Sequence, residues 1–214
     1  MRPARLLLIA ALLLGSLTSP AGAAPQTCLG RRATVVGTAS ADTLTGTAGD
    51  DVIVAKAGDD TVDGRGGTDR ICGGRGDDAL TGGSGSDRLA GGTGADTMDG
   101  GDGADTASFE AAASGVEVNL EVGSATGQGL DSLVRVESVI GSASRANHLW
   151  GDAGANTLTG GAVYDFLDGG DGDDRLNGLD GGDRLEGGAD TDALHGGEGS
   201  DTCSGGESST GCEA

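Results

Sequence analysis

The sequence predicts an all-β solenoid: a flattened right-handed coil of short parallel strands, with two nine-residue units completing each turn. Three observations predict it. From Gly73 the chain reads GGRGDDALT, GGSGSDRLA, GGTGADTMD and GGDGADTAS, one template written four times. The template keeps Gly at its first, second and fourth places, Asp at its sixth and usually an apolar residue at its eighth. The composition, with 45 Gly but only 1 Trp, 1 Tyr and 2 Phe in 214 residues, is too poor in large side chains for a conventional core. It suits thin units that bury their apolar face only by stacking. Glycine tolerates positive φ, so the first half of a unit bends tightly and turns its carbonyls inward. The last three residues alternate outward, inward, outward, which places the eighth side chain in the core. Acidic, Gly-rich chains are often disordered, but a linker needs no register. Collagen is excluded, since only 3 Pro are present and Gly does not recur at every third residue.

Residues 1–23 read as a secretory signal. Arg2 and Arg5 supply the positive end, the run from Leu6 to Leu14 is too short to span a bilayer, and Ala21-Gly22-Ala23 is a small-residue cleavage site. No later apolar run is long enough to cross a membrane. Residues 24–36 form an N-terminal cap, in which Thr34-Val35-Val36 is a strand covering the first coil. Residues 37–108 hold eight copies of the template. Their sixth places are Asp42, Asp51, Asp60, Asp69, Asp78, Asp87, Asp96 and Asp105, and their eighth places run from Leu44 to Ala107. The early copies are looser: Thr38 and Thr47 replace the second Gly, and Ala55-Lys56 replaces the first two. Sites there should be weaker or partly formed.

Residues 109–150 break the register. Val116, Val118, Leu120 and Val122 alternate as a half-buried strand does, and Leu133, Val134, Val136, Val139 and Ile140 form a second apolar cluster. The expectation is two short strands that stay in the stack as a wider coil, with Gly123, Gly127 and Gly129 in a turn or loop between them. Residues 141–150 resemble a damaged copy, with Asn147 near the Asp place and Leu149 near the apolar place. Residues 151–214 hold six more copies with Asn156, Asp165, Asp174, Asp183, Asp192 and Asp201 at the sixth place. A decayed seventh copy follows, with Thr210 at the Asp place and Cys212 at the apolar place. Export to an oxidising space makes disulfides of the 4 Cys. Three pairings are open; Cys28–Cys72 with Cys203–Cys212 is favoured, because each bond clasps one end of the array.

The formal net charge of −21 makes nucleic acid an improbable partner and cations the natural one. In a coil with two units per turn, sixth-place carboxylates eighteen positions apart stack at about one strand spacing, roughly 4.8 Å. A hard divalent ion resolves their repulsion, and Ca²⁺ accepts six to eight oxygens in flexible geometry, whereas Mg²⁺ demands stricter octahedra. The pattern GGxGxDx(apolar)x over residues 37–108 and 151–204 resembles the repeat of RTX, or hemolysin-type, calcium-binding proteins. The resemblance implies a parallel β-roll with Ca²⁺ held between loops by backbone carbonyls and the sixth-place Asp side chains, thirteen in all, from Asp42 to Asp201. The best-formed loops begin at Gly73, Gly82, Gly91, Gly100, Gly169 and Gly196. Pairing alternate copies allows at most about ten ions, and the thin core implies folding on calcium binding. Family members often use a C-terminal export signal and carry a catalytic or pore-forming domain. This chain instead shows an N-terminal signal, and its residues read as repeats alone.

Other chemistries lack their motifs. H-E-x-x-H, G-x-S-x-G and EF-hand spacing are absent, His195 falls on an outward place, and Arg75-Gly76-Asp77 is a by-product of the template. Phe109, Trp150, Tyr164 and Phe166 are expected to pack at the interruption. Three readings follow. The first is a secreted calcium-binding module without enzymatic activity. The second is a calcium-dependent adhesin or matrix component with a cell-surface or polysaccharide partner. The third is an enzyme using Glu110, Glu117, Glu121 and Glu137.

Overall fold

The computed structural model describes residues 26–213; the expected signal segment, residues 1–23, lies outside the described residues. No helix occurs among the described residues, and the chain is a parallel β-solenoid, the β-roll expected from the sequence. Copies alternate between two sheets: Arg70–Arg75 lies in one, Ala79–Ser84 in the other, Arg88–Thr93 in the first again. One sheet has eleven strands, from Thr43–Thr45 to Thr202–Ser204, and the other has ten, from Val35–Val36 to Ser208–Thr210. Two copies therefore make one turn, and within the regular copies each residue pairs with the one eighteen positions on, as Leu80 with Met98 and Ile71 with Leu89.

The eighth-place side chains build the core. One sheet contributes the inward ladder Ile53, Ile71, Leu89, Ala107, Val139, Leu158, Leu176 and Leu194. The other contributes Val62, Leu80, Met98, Leu133, Val118, Leu149, Leu167 and Leu185. All are buried, and each large one is worth roughly 1.5–3 kcal/mol of apolar burial. At the entry, Val35–Val36 pairs with the strand Val52–Ala57, so the expected covering strand is present. Both favoured disulfides are formed, Cys28–Cys72 and Cys203–Cys212.

The interruption departs from expectation. Instead of two strands it holds four before the damaged copy: Glu117–Asn119, Ser124–Thr126, Leu130–Val134 and Ser138–Ile140. Ser124–Thr126 runs antiparallel to both neighbours, and two reversals restore the direction of the stack. The first reversal follows Leu120 and passes through Gly123 at φ 65°. The alternation of valines therefore ends early: Val116 and Val118 are buried, whereas Val122 is 70% exposed. Ser138–Ile140 continues the second sheet between Thr106–Ser108 and Thr157–Gly161. In the damaged copy Asn147 and Leu149 are both fully buried, in the places expected.

The last coil also differs. Ser209 pairs with Leu194 and Thr210 with His195, fifteen positions apart, so the coil is three residues short and Ser209, not Cys212, takes the inward register. Phe109 is buried as expected, and His148, Trp150 and Phe166 form a ring cluster with centroids 5.7 to 6.1 Å apart. Tyr164 does not pack at the interruption; it is 52% exposed.

Candidate metal centre

The alternation of sheets puts the turns of the coil along two edges, and the sixth-place residues form a column on each. One column runs Asp42, Asp60, Asp78, Asp96, Asp131, and resumes after the hairpin as Asn147, Asp165, Asp183, Asp201. In it each residue's backbone N–H donates to Oδ1 of the next: Asp60 to Asp78 at 2.8 Å, Asp96 to Asp131 at 3.1 Å, Asp183 to Asp201 at 2.7 Å. The other column begins at Asp51, and Asp87 N–H donates to Asp105 Oδ1 at 2.8 Å. There Glu137 stands next, accepting from Asp105 N–H at 2.8 Å, and Glu207 ends the column, accepting from Asp192 N–H at 2.6 Å. Asn156, Asp174 and Asp192 lie between them. The thirteen aspartates named from the sequence are thus all in the two columns.

The nonapeptide template does not place Asp131, Glu137 and Glu207 in the columns, and it puts Thr210 in the place that Glu207 fills. A signal was present for two of them: Asp131-Ser132-Leu133 and Glu137-Ser138-Val139 each set an acidic residue two places before an inward one. The other glutamates of the interruption lie outside the columns. Glu110 lies 3.5 Å from the Arg88 guanidinium, and Glu117 and Glu121 are exposed.

The second carboxylate oxygen divides the columns. In Asp60, Asp69, Asp78, Asp87, Asp96, Asp105, Asp174, Asp183, Asp192 and Asp201, Oδ2 is buried and has no hydrogen-bond partner. A buried, unpaired carboxylate oxygen is costly. In most of these loops glycine fills the tight places around it. A methyl group on Gly73 would lie 2.2 Å from Asp78 Oδ2 and 2.7 Å from the Gly91 carbonyl oxygen of the next turn. On Gly74, which sits at φ 122°, it would lie 2.0 Å from the Lys56 carbonyl oxygen of the previous turn. Carboxylate oxygen and carbonyl oxygens therefore converge between successive loops. Among the described residues no group of three or more His, Cys, Asp or Glu side chains converges. A cation here must take much of its coordination from backbone carbonyls, a donor set that suits Ca²⁺ better than the softer transition metals.

The electrostatics agree with that geometry. Asp69, Asp78, Asp96, Asp174 and Asp183 are pushed up to about 6, first by burial, which outweighs the backbone hydrogen bond each accepts, and further by neighbouring carboxylates. Burial also raises Asp87 and Asp105. Asp51 goes the other way. Burial acts to raise it, but hydrogen bonds from the Thr47 amide and hydroxyl and from the Thr34 hydroxyl together bring it below the usual carboxylate value.

Asp42, Asp51 and Asp165 have their second oxygen satisfied within their own loops. Thr38 N–H donates to Asp42 Oδ2 at 2.6 Å, Thr47 N–H to Asp51 Oδ2 at 2.6 Å, and Gly161 N–H to Asp165 Oδ2 at 2.5 Å.

Comparison with protein families matches the model of the hemolysin-type RTX calcium-binding nonapeptide repeat (4 copies) to residues 36–71, 45–80, 73–107, 144–167, 150–185 and 177–208. These segments span more than half of the chain and leave out most of the interruption. Comparison with curated proteins finds no match.

Proposed function

Because the chain belongs to the RTX calcium-binding nonapeptide repeat family, we propose that it is an extracellular calcium-binding protein that folds as its loops take up Ca²⁺. The observation that carries this reading is the set of ten buried Oδ2 atoms without a hydrogen-bond partner, crowded against carbonyls of adjacent turns. The sixth-place aspartates of those loops would hold the ions together with the loop carbonyls. Calcium supplies positive charge where the stacked carboxylates repel one another. The chain's own part is to fix the oxygens: Oδ1 is tied to an N–H of the neighbouring turn, which leaves Oδ2 free and orients it. The two disulfides and the signal-like N-terminal sequence support an oxidising, calcium-rich location outside the cell. Nothing in the columns resembles a nucleophile–base pair, and the module's task on this reading is structural.

Circular dichroism of the protein without residues 1–23, titrated with calcium after chelation, tests the proposal. Strand signal should appear with millimolar calcium, since extracellular calcium modules bind at about 10⁻⁴–10⁻³ M. An identical spectrum in chelator and in calcium would remove the proposal.

A further inference from the structure

The repeat loops fall into two backbone classes, and the division is complete. In ten loops the second residue has positive φ: Lys56, Arg65, Gly74, Gly83, Gly92, Gly101, Gly170, Leu179, Gly188 and Gly197. The fourth residue of each is positive as well, from Gly58 to Gly199, with Asp190 in one loop. These are the same ten loops whose Asp Oδ2 is unpartnered. In five loops neither the second nor the fourth place has positive φ. In those five the second residue's N–H points into the loop and donates to the sixth side chain: Thr38 to Asp42, Thr47 to Asp51, Ser142 to Asn147, Asp152 to Asn156 and Gly161 to Asp165, at 2.5 to 2.8 Å.

We infer that these five closed loops are metal-free, and that calcium is confined to the ten open loops, in one block of six over residues 55–105 and one of four over residues 169–201. The inference rests on the calcium reading above and specifies where that reading applies. In a closed loop the N–H sits against the oxygen that an open loop offers to the cation, and its positive end of the dipole takes the cation's place. Positive φ at the second residue turns that peptide over, which removes the N–H and brings the carbonyl round. Side-chain chemistry follows the division. Asn replaces Asp at the sixth place only in closed loops, Asn147 and Asn156, where an acceptor suffices and a charge is not required. Two closed loops carry β-branched Thr at the second place, which resists positive φ. The non-glycine residues at that place in open loops, Lys56, Arg65 and Leu179, are unbranched at Cβ. In the two N-terminal closed loops the Thr hydroxyl also donates to the carboxylate, at 2.9 Å.

The test is the number of ions bound by the full mature chain, measured by native mass spectrometry and calorimetry, in the double variant Asp42→Asn/Asp51→Asn and in Asp201→Asn. Both Asn side chains in the double variant keep an acceptor for the Thr38 and Thr47 amides, so that protein should bind as many ions as the parent. Asp201→Asn lies in a terminal open loop, where losing a site frays only the end, and should bind one ion fewer. Loss of two ions in the double variant, or no loss in Asp201→Asn, would overturn the inference. A parent chain that binds no calcium at all would instead defeat the calcium reading itself, a result distinct from either.

Discussion

Without calcium, the stacked carboxylates should make the fold stronger in mild acid than at neutral pH. Asp69, Asp78, Asp96, Asp174 and Asp183 rise from 3.8 to about 6 in the folded chain, chiefly through burial. A folded value above the unfolded one means that the native state binds more protons between the two. Stability from this source is full below about pH 4 and is lost as pH climbs through about 6. Each shift of roughly two units corresponds to about 3 kcal/mol. The groups lie in shared columns and titrate together, so the total is less than the sum. The assay is urea unfolding followed by circular dichroism, from pH 4.5 to 8, in buffer stripped of divalent ions. The folded fraction should fall steeply between about pH 5 and pH 7. With saturating calcium the dependence should reverse, because protons then compete with the ion for the same oxygens. A metal-free chain that gains stability as pH rises from 5 to 7 would refute the reasoning.

Other outcomes follow from the packing. Leu167→Ala removes a fully buried rung of the inward ladder and should lower stability in calcium by about 2–5 kcal/mol, read from denaturant midpoints. Replacing Cys28 and Cys72 by Ser opens a link between residues 44 positions apart. It should cost about 4 kcal/mol in the chain-entropy picture, visible as a lower melting temperature in calcium. Glu137→Ala leaves the Asp105 N–H without the acceptor it has at 2.8 Å and should destabilise by about 1–3 kcal/mol. Glu137→Gln, which keeps an acceptor, should recover most of that loss in the same urea titration.

The stack was legible in the sequence because one periodicity governs both its halves. An apolar residue every ninth position, from Leu80 to Met98 and from Leu167 to Leu185, can only mean two units per turn once alternate copies pair. The columns were legible for the same reason. The interruption was less so. Alternation from Val116 to Val122 is a signal for a strand, but it cannot say where the strand reverses. The turn after Leu120 is set by how three strands must fit between Thr97–Asp102 and His148–Trp150. In the last coil a count of nine places Thr210 at the column, whereas the shortened coil brings Glu207 there instead. Of the two loop classes the sequence shows only looseness at Thr38, Thr47 and Ala55-Lys56, and the last of these lies in an open loop rather than a weakened one. Peptide orientation decides between them, and Gly161, a closed loop with glycine at its second place, shows that residue type alone does not fix it.

A crystal structure grown in calcium tests the central claim most directly, read at the Oδ2 atom of Asp78. An ion at about 2.3–2.6 Å from that oxygen, also within reach of loop carbonyls, is the predicted result. A water molecule hydrogen-bonded there, or a protonated carboxyl paired with its neighbour in the column, would contradict it.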